Sequence, residues 1–264
     1  MGHAQLHRCV PPYSFEEGES SHHPWVLFIF AYNEGGKLAT QLSRLPAPAG
    51  RDYDVMIGDD GSTDGSCPSQ LLARFGLRGI VRLDRHRGLS PNVKACFAWL
   101  LEQDYRGVIM MNGNDRDGVE ALPRFVAKLA EGYDYVQGSR FRPGGLHANT
   151  PRYRLWSIRL VHAPLFSLAA GRWMTDTTNG YRAFSVECLR AMGDGLFSPM
   201  FEHYEIEQYL AWKALRCGVR SCEIPVARIY QTDIDTQPYS KIRPGIGWWH
   251  MIKPLIGLLF RIYR

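Results

Sequence analysis

Two polar clusters in the chain have the side chains that a nucleotide-binding site needs. They occupy residues 31–34 (Ala-Tyr-Asn-Glu) and residues 58–64 (Gly-Asp-Asp-Gly-Ser-Thr-Asp). Carboxylate and amide oxygens can accept hydrogen bonds from a base N–H and from ribose hydroxyls, and a glycine allows close backbone approach to a ligand. The candidate nucleotide-binding residues are Tyr32, Asn33, Glu34, Asp59, Asp60 and Gly61. The alternative is an acidic helix-capping turn without a ligand, which Asp64 fits better than Asp59.

Short apolar runs precede both clusters and predict the strands that must position them. The predicted strands are Trp25–Phe30, Tyr53–Gly58, Gly79–Leu83, Gly107–Met111 and Tyr133–Gly138. Between them apolar residues recur at helical spacing, as at Leu38, Leu42 and Leu45. This alternation predicts an α/β fold with a mostly parallel sheet and helices on both faces. Such sheets bind ligands at the carboxyl ends of their strands, where both clusters lie.

The later part of the chain extends the same pattern within one domain. We expect helices at Tyr153–Ala170 and Tyr204–Cys217, a polar loop at Thr175–Arg182 and a strand near Cys222–Ala227. No repeat or low-complexity linker interrupts the sequence, so we predict one domain over residues 24–245. The chain has neither a GxGxxG after its first strand nor a P-loop motif, which argues against a dinucleotide oxidoreductase and a P-loop NTPase.

Composition indicates a globular protein with an anionic partner. The 264 residues are 45% apolar, which allows a sizeable core, and the formal net charge is +5. Six scattered cysteines without a CxxC pair fit reduced thiols in a cytosolic compartment. We expect residues 1–23 to be a flexible leader, because they lack the continuous apolar segment of a signal peptide. The basic residues gather near the proposed site and tail, which disfavours nucleic acid as a partner.

A series of motifs in a fixed order gives the chain a family resemblance. The two clusters are followed by Gly-Ser-Arg at 138–140, Asp-Thr-Thr-Asn-Gly-Tyr-Arg at 176–182, Glu-Ile-Pro at 223–225 and Tyr-Ser-Lys at 239–241. Together they resemble family 2 inverting glycosyltransferases of the GT-A (Rossmann-like) fold, in the dolichol-phosphate and polyprenyl-phosphate mannosyltransferase branch. The resemblance spans residues 25–245. It implies a nucleotide-sugar donor, a lipid-phosphate acceptor, base contact by Asp59 and nucleotide contact by Glu34.

The resemblance also implies a divalent cation after the fourth predicted strand, where the family has Asp-x-Asp. Here the motif reads Asn-Gly-Asn, followed by Asp-Arg-Asp. Because a neutral amide is a weaker ligand than a carboxylate, we expect Mg²⁺ or Mn²⁺ to shift toward the later aspartates. The candidate metal ligands are Asn114, Asp115 and Asp117, and the candidate nucleotide contacts are Asn112 and Gly113. Alternatively, Arg116 supplies the positive charge itself, or the stretch is a turn without metal.

Basic and acidic residues farther along the chain are candidates for the reaction. A guanidinium group matches phosphate oxygens bidentately, so Arg140, Arg154 and Arg182 could neutralise the donor diphosphate or the acceptor phosphate. The candidate catalytic residues are Asp115, Asp117, Arg140, Asp176, Arg182, Glu205 and Lys241. Plainer alternatives are a solvated helix face for Arg154, a simple turn for Asp176 and a helix-dipole preference for Glu205.

The tail at residues 246–264 predicts an amphipathic helix. One stripe at spacings of three and four contains His250, Lys253, Gly257, Arg261 and Arg264, and the rest is aromatic or aliphatic. Lys253-Pro254 divides the apolar sequence, so the helix is too short to span a bilayer and would lie among headgroups. The alternatives are packing on its own domain or a homo-oligomer interface. We expect a cytoplasmic protein that is peripheral at the membrane surface. The sequence leaves open whether a separate membrane partner completes the site.

These features predict a hexosyltransferase that moves a sugar from a nucleotide sugar to a polyprenyl or dolichyl phosphate with inversion. A phosphate monoester has a second pKa of about 6, so it needs no strong general base near neutral pH. One alternative is transfer to a hydroxyl of a lipid-linked or surface polysaccharide, which needs a base among Glu205, Glu207 and Asp176. The other is a non-catalytic scaffold that binds a nucleotide sugar.

Overall fold

Within residues 9–19, 23–230, 246–260 and 262, which the computed structural model describes, ten strands form an eight-stranded sheet and a two-stranded one. In chain order they are β1 (Tyr13–Glu17), β2 (Trp25–Ala31), β3 (Asp54–Asp59), β4 (Gly79–Leu83), β5 (Gly107–Asn112), β6 (Tyr135–Ser139), β7 (Leu146–Ala148), β8 (Arg182–Ser185), β9 (Ser221–Pro225) and β10 (Ala227–Ile229). The large sheet has the order β1-β4-β3-β2-β5-β8-β6-β9, and β7 pairs with β10. Strands β2 to β5 run parallel, whereas β1 and β8 are antiparallel to their neighbours.

Helices connect the strands. They are α1 (Gly36–Ser43), α2 (Gln70–Phe75), α3 (Leu89–Leu101), α4 (Leu122–Ala130), α5 (Arg152–Ser157), α6 (Ala163–Ala170), α7 (Val186–Ala191), α8 (Glu205–Arg216) and α9 (Ile246–Leu259). A π-helical segment at Ile158–His162 joins α5 to α6, so the helix predicted at Tyr153–Ala170 is found with one irregular turn. Short 3₁₀ turns occupy Pro48–Gly50, Val119–Ala121 and Gly193–Phe197.

The core lies on both faces of the large sheet. Val26 and Phe28 of β2 belong to a cluster that includes α3 and α8 side chains, while Leu27 and Ile29 face a second cluster with α1, α2 and α4. A parallel strand buried on both faces needs a continuous apolar run, which is what the sequence has. The predicted α/β fold is confirmed, and the five predicted strands match β2 to β6 within two residues.

The structure differs from the predicted leader at β1. Residues 13–17 form an edge strand antiparallel to β4, with Tyr13 opposite Leu83. Phe15 lies 5.0 Å from Trp99 between ring centroids, and Glu16 forms a 3.5 Å ion pair with Arg82. The prediction of a flexible leader is therefore wrong for these residues. Five residues with one half-buried face give too short an alternation to stand out in a polar segment.

Strand β8 is a second feature that the apolar pattern did not reveal. It begins at Arg182, the end of the predicted polar loop, and lies antiparallel between β5 and β6. This insertion brings the Asp-Thr-Thr-Asn-Gly-Tyr loop to the carboxyl ends of β5 and β6. The loop motifs of residues 112–117 and 176–181 therefore lie at the same edge of the sheet.

The C-terminal helix α9 packs on α6 and α8. Leu255 and Leu258 are buried, whereas Ile252 and Ile256 are each 36% exposed. Gly257 is buried although Lys253 is exposed, so the predicted polar stripe does not lie on one solvent-facing side. The side chains of His250, Arg261 and Arg264 lie outside the described residues. No helix in the described part of the chain is both long and apolar enough to cross a bilayer.

Candidate functional site

The first two polar clusters are tied together at the carboxyl ends of β2 and β3. The Asn33 N–H donates to Ser62 Oγ at 3.0 Å, and the Thr63 N–H donates back to Asn33 Oδ1 at 2.8 Å. Asp64 Oδ2 accepts from the Gly35 N–H at 3.0 Å. The predicted neighbourhood of the clusters is therefore present, and Asn33 and Asp64 shape its backbone. Glu34 lies half-buried beside them.

Asp59 lies inside this edge of the sheet. It is fully buried, its Oδ1 accepts from the Ser62 N–H at 3.0 Å, and its Oδ2 forms an ion pair with Arg82. Gly61 has a φ of +68°, and a Cβ there would lie 2.5 Å from the Arg85 carbonyl carbon. Asp59 and Gly61 thus shape the loop after β3, and their predicted contact with a nucleotide stays a prediction.

Asp60 organises an aromatic pair that the sequence did not indicate. Its carboxylate accepts from the Arg87 and Gly88 N–H groups at 2.8 Å each, and His86 Nδ1 lies 2.7 Å from its Oδ2. The His86 ring stacks on Tyr32, with centroids 3.7 Å apart and planes 14° apart. Burial raises the pKa of Asp60, although these hydrogen bonds oppose the shift. His86 carries no motif, so only the fold brings it to Tyr32.

The predicted metal loop follows β5. The Gly113 N–H donates to Phe30 O at 2.8 Å, and a Cβ at Gly113 would approach that oxygen to 3.1 Å, which accounts for the glycine. Asn112 and Asn114 are half-buried. Asn114 Oδ1 is enclosed and has no hydrogen-bond donor among the described atoms.

Both aspartates of this loop form ion pairs with arginine. Asp115 Oδ1 lies 2.5 Å from Arg44, and its backbone N–H donates to Gln41 Oε1 at 3.0 Å. Asp117 is fully buried and lies 2.5 Å from Arg228 of β10. The candidate ligands for Mg²⁺ or Mn²⁺ are therefore held by cations of the protein. Among the described residues, no group of three or more His, Cys, Asp or Glu side chains has the arrangement of a metal site.

A buried arginine and aspartate fix the loop of residues 176–181, which the sequence associates with the acceptor. Arg140 donates from Nε and Nη2 to the two Asp176 oxygens at 2.7 and 2.8 Å, and from Nη2 to Thr178 Oγ1 at 2.9 Å. Burial alone would raise the pKa of Asp176, but Arg140 holds it below the usual value. His162 Nδ1 lies 2.6 Å from Thr177 Oγ1. These contacts pair Arg140 with Asp176 inside the protein, and the catalytic role predicted for the two residues stays a prediction.

Arg182 and Glu205 also have positions inside the protein. Arg182 is 1% exposed and donates to the carbonyl oxygens of Asn179 and Glu207. Glu205 is buried and accepts from the His203 N–H at 2.6 Å, so it closes the N-terminus of α8. Lys241 lies outside the described residues.

Glu207, named from the sequence only as an alternative base, faces the site more directly. A Cβ at Gly180 would lie 2.4 Å from Glu207 Oε1 and 3.0 Å from Asn112 Nδ2, so the glycine lets these side chains meet. Burial raises the pKa of Glu207, Arg182 and Arg228 lower it, and Asp117 raises it further. Glu207 is thus a buried carboxyl group of this edge whose pKa lies above its ordinary value.

Four arginines surround the buried ring of Tyr230, and Arg154 forms no ion pair with a carboxylate of the described residues. The Arg116 guanidinium lies 4.5 Å from the ring centroid. Burial raises the pKa of Tyr230, but Arg154, Arg228 and Arg140 lower it below its usual value. Burial also lowers the pKa of Arg154, and the neighbouring arginines add to that shift. The excess of positive charge suits an anion.

Comparison with known proteins gives this arrangement a context. The family model described as Glycosyl transferase family 2 matches residues 26–193. An undecaprenyl-phosphate mannosyltransferase of Micrococcus luteus is 30% identical over 207 residues, covering 76% of this chain and 82% of the relative. A polyprenol monophosphomannose synthase of Mycolicibacterium smegmatis is 27% identical over 205 residues, covering 76% of each chain.

A solved structure has the same fold. Glucosyl-3-phosphoglycerate synthase from Mycobacterium tuberculosis, crystallised with Mn²⁺, uridine diphosphate and glucosyl-3-phosphoglycerate, aligns with a TM-score of 0.57 at 17% identity. The alignment covers 90% of this chain and 78% of the synthase. At that identity the likeness concerns the fold alone. Divalent metal use is thus represented among proteins of this fold.

Proposed function

The chain belongs to glycosyl transferase family 2, and from that premise we propose that it transfers a hexose from a nucleotide sugar to a polyprenyl phosphate, with inversion at the anomeric carbon. The observation that carries this proposal is the 30% identity to an undecaprenyl-phosphate mannosyltransferase across 82% of that relative. The unpaired cation at Arg154 supports the phosphate part of it, because it lies at the loop edge of the sheet without a carboxylate partner in the described chain.

The donor nucleotide would occupy the cleft at the ends of β2 and β3. The stacked Tyr32 and His86 rings offer a flat surface for a base, and the half-buried Glu34 lies beside it. Buried Asp59 and Asp60 hold the loop that forms one wall. This division of roles supports nucleotide binding through a rigid backbone frame.

The acceptor phosphate would lie near Arg154. A guanidinium group and a phosphate form charge-assisted, bidentate hydrogen bonds. The Arg140–Asp176 pair and the His162–Thr177 contact fix the loop beside it. We assign Arg154 to acceptor binding and Arg140 to positioning of the loop.

The reaction then needs orientation more than proton transfer. An acceptor phosphate oxygen attacks the anomeric carbon and forms the new C–O bond, while the bond to the donor diphosphate breaks and its electron pair leaves with the nucleoside diphosphate. The attacking phosphate is largely dianionic above its second pKa of about 6, so no proton has to be removed. In-line alignment and charge stabilisation of the leaving diphosphate are the tasks of the protein.

Transfer to a hydroxyl is the second candidate, and Glu207 is the observation that favours it. A base with a pKa raised by burial is better suited to accept a proton near neutral pH than an ordinary carboxylate. Asp176 suits this role poorly because Arg140 lowers its pKa, and Glu205 is committed to the N-terminus of α8. A hydroxyl acceptor would therefore make Glu207→Gln strongly defective.

The acceptor test compares undecaprenyl phosphate with undecaprenol, using the same nucleotide-sugar panel. We expect product only from the phosphate, released by mild acid, and expect Arg154→Gln to raise the KM for the lipid about tenfold or more. Arg74→Gln, at an exposed position of α2, is the matched control. Product from the alcohol, with loss of activity in Glu207→Gln, would support the hydroxyl candidate instead.

A peripheral position at the membrane surface fits the outer helices. The outward side chains of α5, the π-helical segment and α6 include Tyr153, Trp156, Leu160 and Leu168, each at least 60% exposed. Exposed Arg152 and Arg159 flank them. We propose that this face, with the adjoining apolar residues of α9, lies among anionic lipid headgroups. A lipid acceptor would then reach Arg154 from the same side, because Arg154 is part of α5.

A further inference from the structure

The charged side chains of the loop after β5 are not arranged as they are in a divalent-cation site. We infer that this chain binds the donor diphosphate without a resident divalent cation, and that Arg116 supplies the neutralising charge. The inference rests on the proposed function, since it concerns the nucleotide-sugar donor. It departs from the Mn²⁺ seen with a protein of the same fold.

The ion pair of Asp115 is the first argument against a divalent cation at this loop. The Asp115 carboxylate is buried and its Oδ1 lies 2.5 Å from Arg44 Nη2. The backbone of Asp115 has a φ of +56°. The Gln41 side chain accepts from the Asp115 N–H at 3.0 Å, which fixes that backbone turn. To coordinate a cation in the cleft, Asp115 would have to leave a nearby guanidinium group. The ion pair therefore competes directly with metal binding.

The ion pair of Asp117 is the second argument against a divalent cation at this loop. Asp117 Oδ1 lies 2.5 Å from Arg228, and the residue is fully buried. The backbone holds it there as well, because the Gly118 N–H donates to Ala227 O at 3.0 Å. Asp117 Oδ2 and Asn114 Oδ1 have no hydrogen-bond donor among the described atoms, but both are enclosed. Because neither oxygen is accessible to solvent, the loop would have to move before either could coordinate a cation in the open cleft.

Arg116 lies between the two aspartates with the geometry of a fixed cation. Its guanidinium is 4.5 Å from the Tyr230 ring centroid, and its carbonyl oxygen accepts from the Ile229 N–H at 2.9 Å. Arg44 and Arg228 neutralise the two aspartates, and Arg116 is a third guanidinium group on the same loop. A cation site needs anionic oxygen that is available to the metal, whereas both carboxylates of this loop are already paired with guanidinium groups.

A guanidinium group can take over the electrostatic part of a cation's task. It is always charged, and its planar donors match two phosphate oxygens. It does not have to be recruited from solution. The consequence is that diphosphate affinity depends on Arg116 and not on added metal.

Equilibrium binding of UDP, GDP and dTDP, measured by calorimetry on the full chain, tests this inference. With the diphosphate that binds, we expect the same Kd in excess EDTA and in Mn²⁺. Arg116→Gln should raise that Kd about tenfold or more in EDTA, while leaving binding of the matching monophosphate nearly unchanged. Arg116→Lys keeps the charge but loses the planar arrangement of donors, so its Kd should lie between that of the original chain and that of Arg116→Gln. Arg74→Gln is the control for loss of one positive charge elsewhere.

The outcomes separate this inference from the proposed function. Diphosphate binding that appears only with Mn²⁺ contradicts the inference and leaves the donor assignment intact. Equal diphosphate affinity in Arg116→Gln and the original chain also contradicts it. Absence of binding by every nucleotide, with and without Mn²⁺, contradicts the proposed function itself and the inference with it.

Discussion

Carboxylates at the loop edge of the sheet share a recurring partner, the arginine guanidinium. Asp59 pairs with Arg82, Asp115 with Arg44, Asp117 with Arg228 and Asp176 with Arg140. Each of these carboxylates is buried, so each needs compensation for the loss of hydration. These four carboxylates therefore fix the shape of the site, and the ligand contacts that we propose fall to other residues, namely Tyr32, His86, Glu34 and Arg154.

Loss of one member of such a pair should destabilise the fold strongly. Arg140 and Asp176 are 3% and 0% exposed, so Arg140→Met leaves a buried carboxylate without its cation. We expect the free energy of unfolding to fall by about 3–5 kcal/mol, measured by urea denaturation. Lys128→Met removes the exposed pair with Glu131 and should leave the urea midpoint nearly unchanged. A similar small change for Arg140→Met would contradict the structural role of the pair.

His162 should make stability depend on pH. Burial lowers its pKa to about 4, against an ordinary value of 6.5; Asp176 raises the pKa and Arg182 lowers it. The unfolded chain then binds more protons than the folded one between these values, so stability is lost as the pH falls below 6.5. We expect His162 to contribute a loss of about 2 kcal/mol between pH 7.5 and pH 5.

The measurement is the difference in unfolding free energy between the original chain and His162→Gln at both pH values. Raised carboxyl pKa values at Asp60, Glu207 and Glu223 act in the opposite direction, so the variant is needed to isolate the histidine. If both chains lose the same stability on acidification, the histidine is not buried in its neutral form.

Residue roles could be predicted from the sequence only in part. The positions of the polar motifs at strand ends correctly predicted that the motifs lie on one edge of the sheet, and their nucleotide and phosphate contacts stay a prediction. The partners could not be predicted, because Arg44 and Arg228 lie 71 and 111 positions from the aspartates they pair with. The sheet order decides which residues that are so far apart in the sequence become neighbours. No local spacing in the sequence predicts such a pair.

At the scale of elements, the central strands were predictable because a strand buried on both faces needs an unbroken apolar run. The edge strand β1 and the inserted strand β8 lacked that signal. Strand β1 has one half-buried face, and β8 has Arg182 at its start. These two strands are antiparallel to their neighbours, so they also fall outside the βαβ alternation.

The edge strand should contribute measurable stability. Phe15 packs against Trp99 and is half-buried, so Phe15→Ala is expected to lower the free energy of unfolding by about 2 kcal/mol, less than for a fully buried phenylalanine. Ser14→Ala on the exposed side of the same strand is the control. Equal denaturation midpoints for the two variants would show that β1 adds nothing to the stability of the sheet.

The outer helix face should govern attachment to lipid. Trp156 and Leu160 are 62% and 65% exposed, so the double change Trp156→Ser with Leu160→Ser removes apolar area without opening the core. We expect it to abolish co-sedimentation with anionic vesicles while circular dichroism stays the same. Met200→Ser, 49% exposed in another loop, is the control. If the double variant still co-sediments with the vesicles, the face does not bind lipid. If the double variant loses self-association instead, the face is an interface between copies of the chain.

At the scale of the whole molecule, a single eight-stranded sheet accounts for the motif order. The loops after β2, β3 and β5 gather on one edge of that sheet, and β8 adds the loop of residues 176–181. Packing of α9 on α6 and α8 joins the C-terminal helix to the apolar outer face. The sequence predicted a helix in this tail, but its contacts depend on which neighbours the fold supplies.

The central claim is that this molecule moves a sugar from a nucleotide to a lipid phosphate. The most direct measurement uses purified protein, undecaprenyl phosphate in anionic vesicles and radiolabelled UDP-, GDP- and dTDP-sugars, and follows label into the organic phase. The account predicts that label from one donor enters that phase, continues to do so in EDTA, and is released by mild acid. Nucleotide binding without label in the organic phase for any donor would contradict it and favour a non-catalytic scaffold.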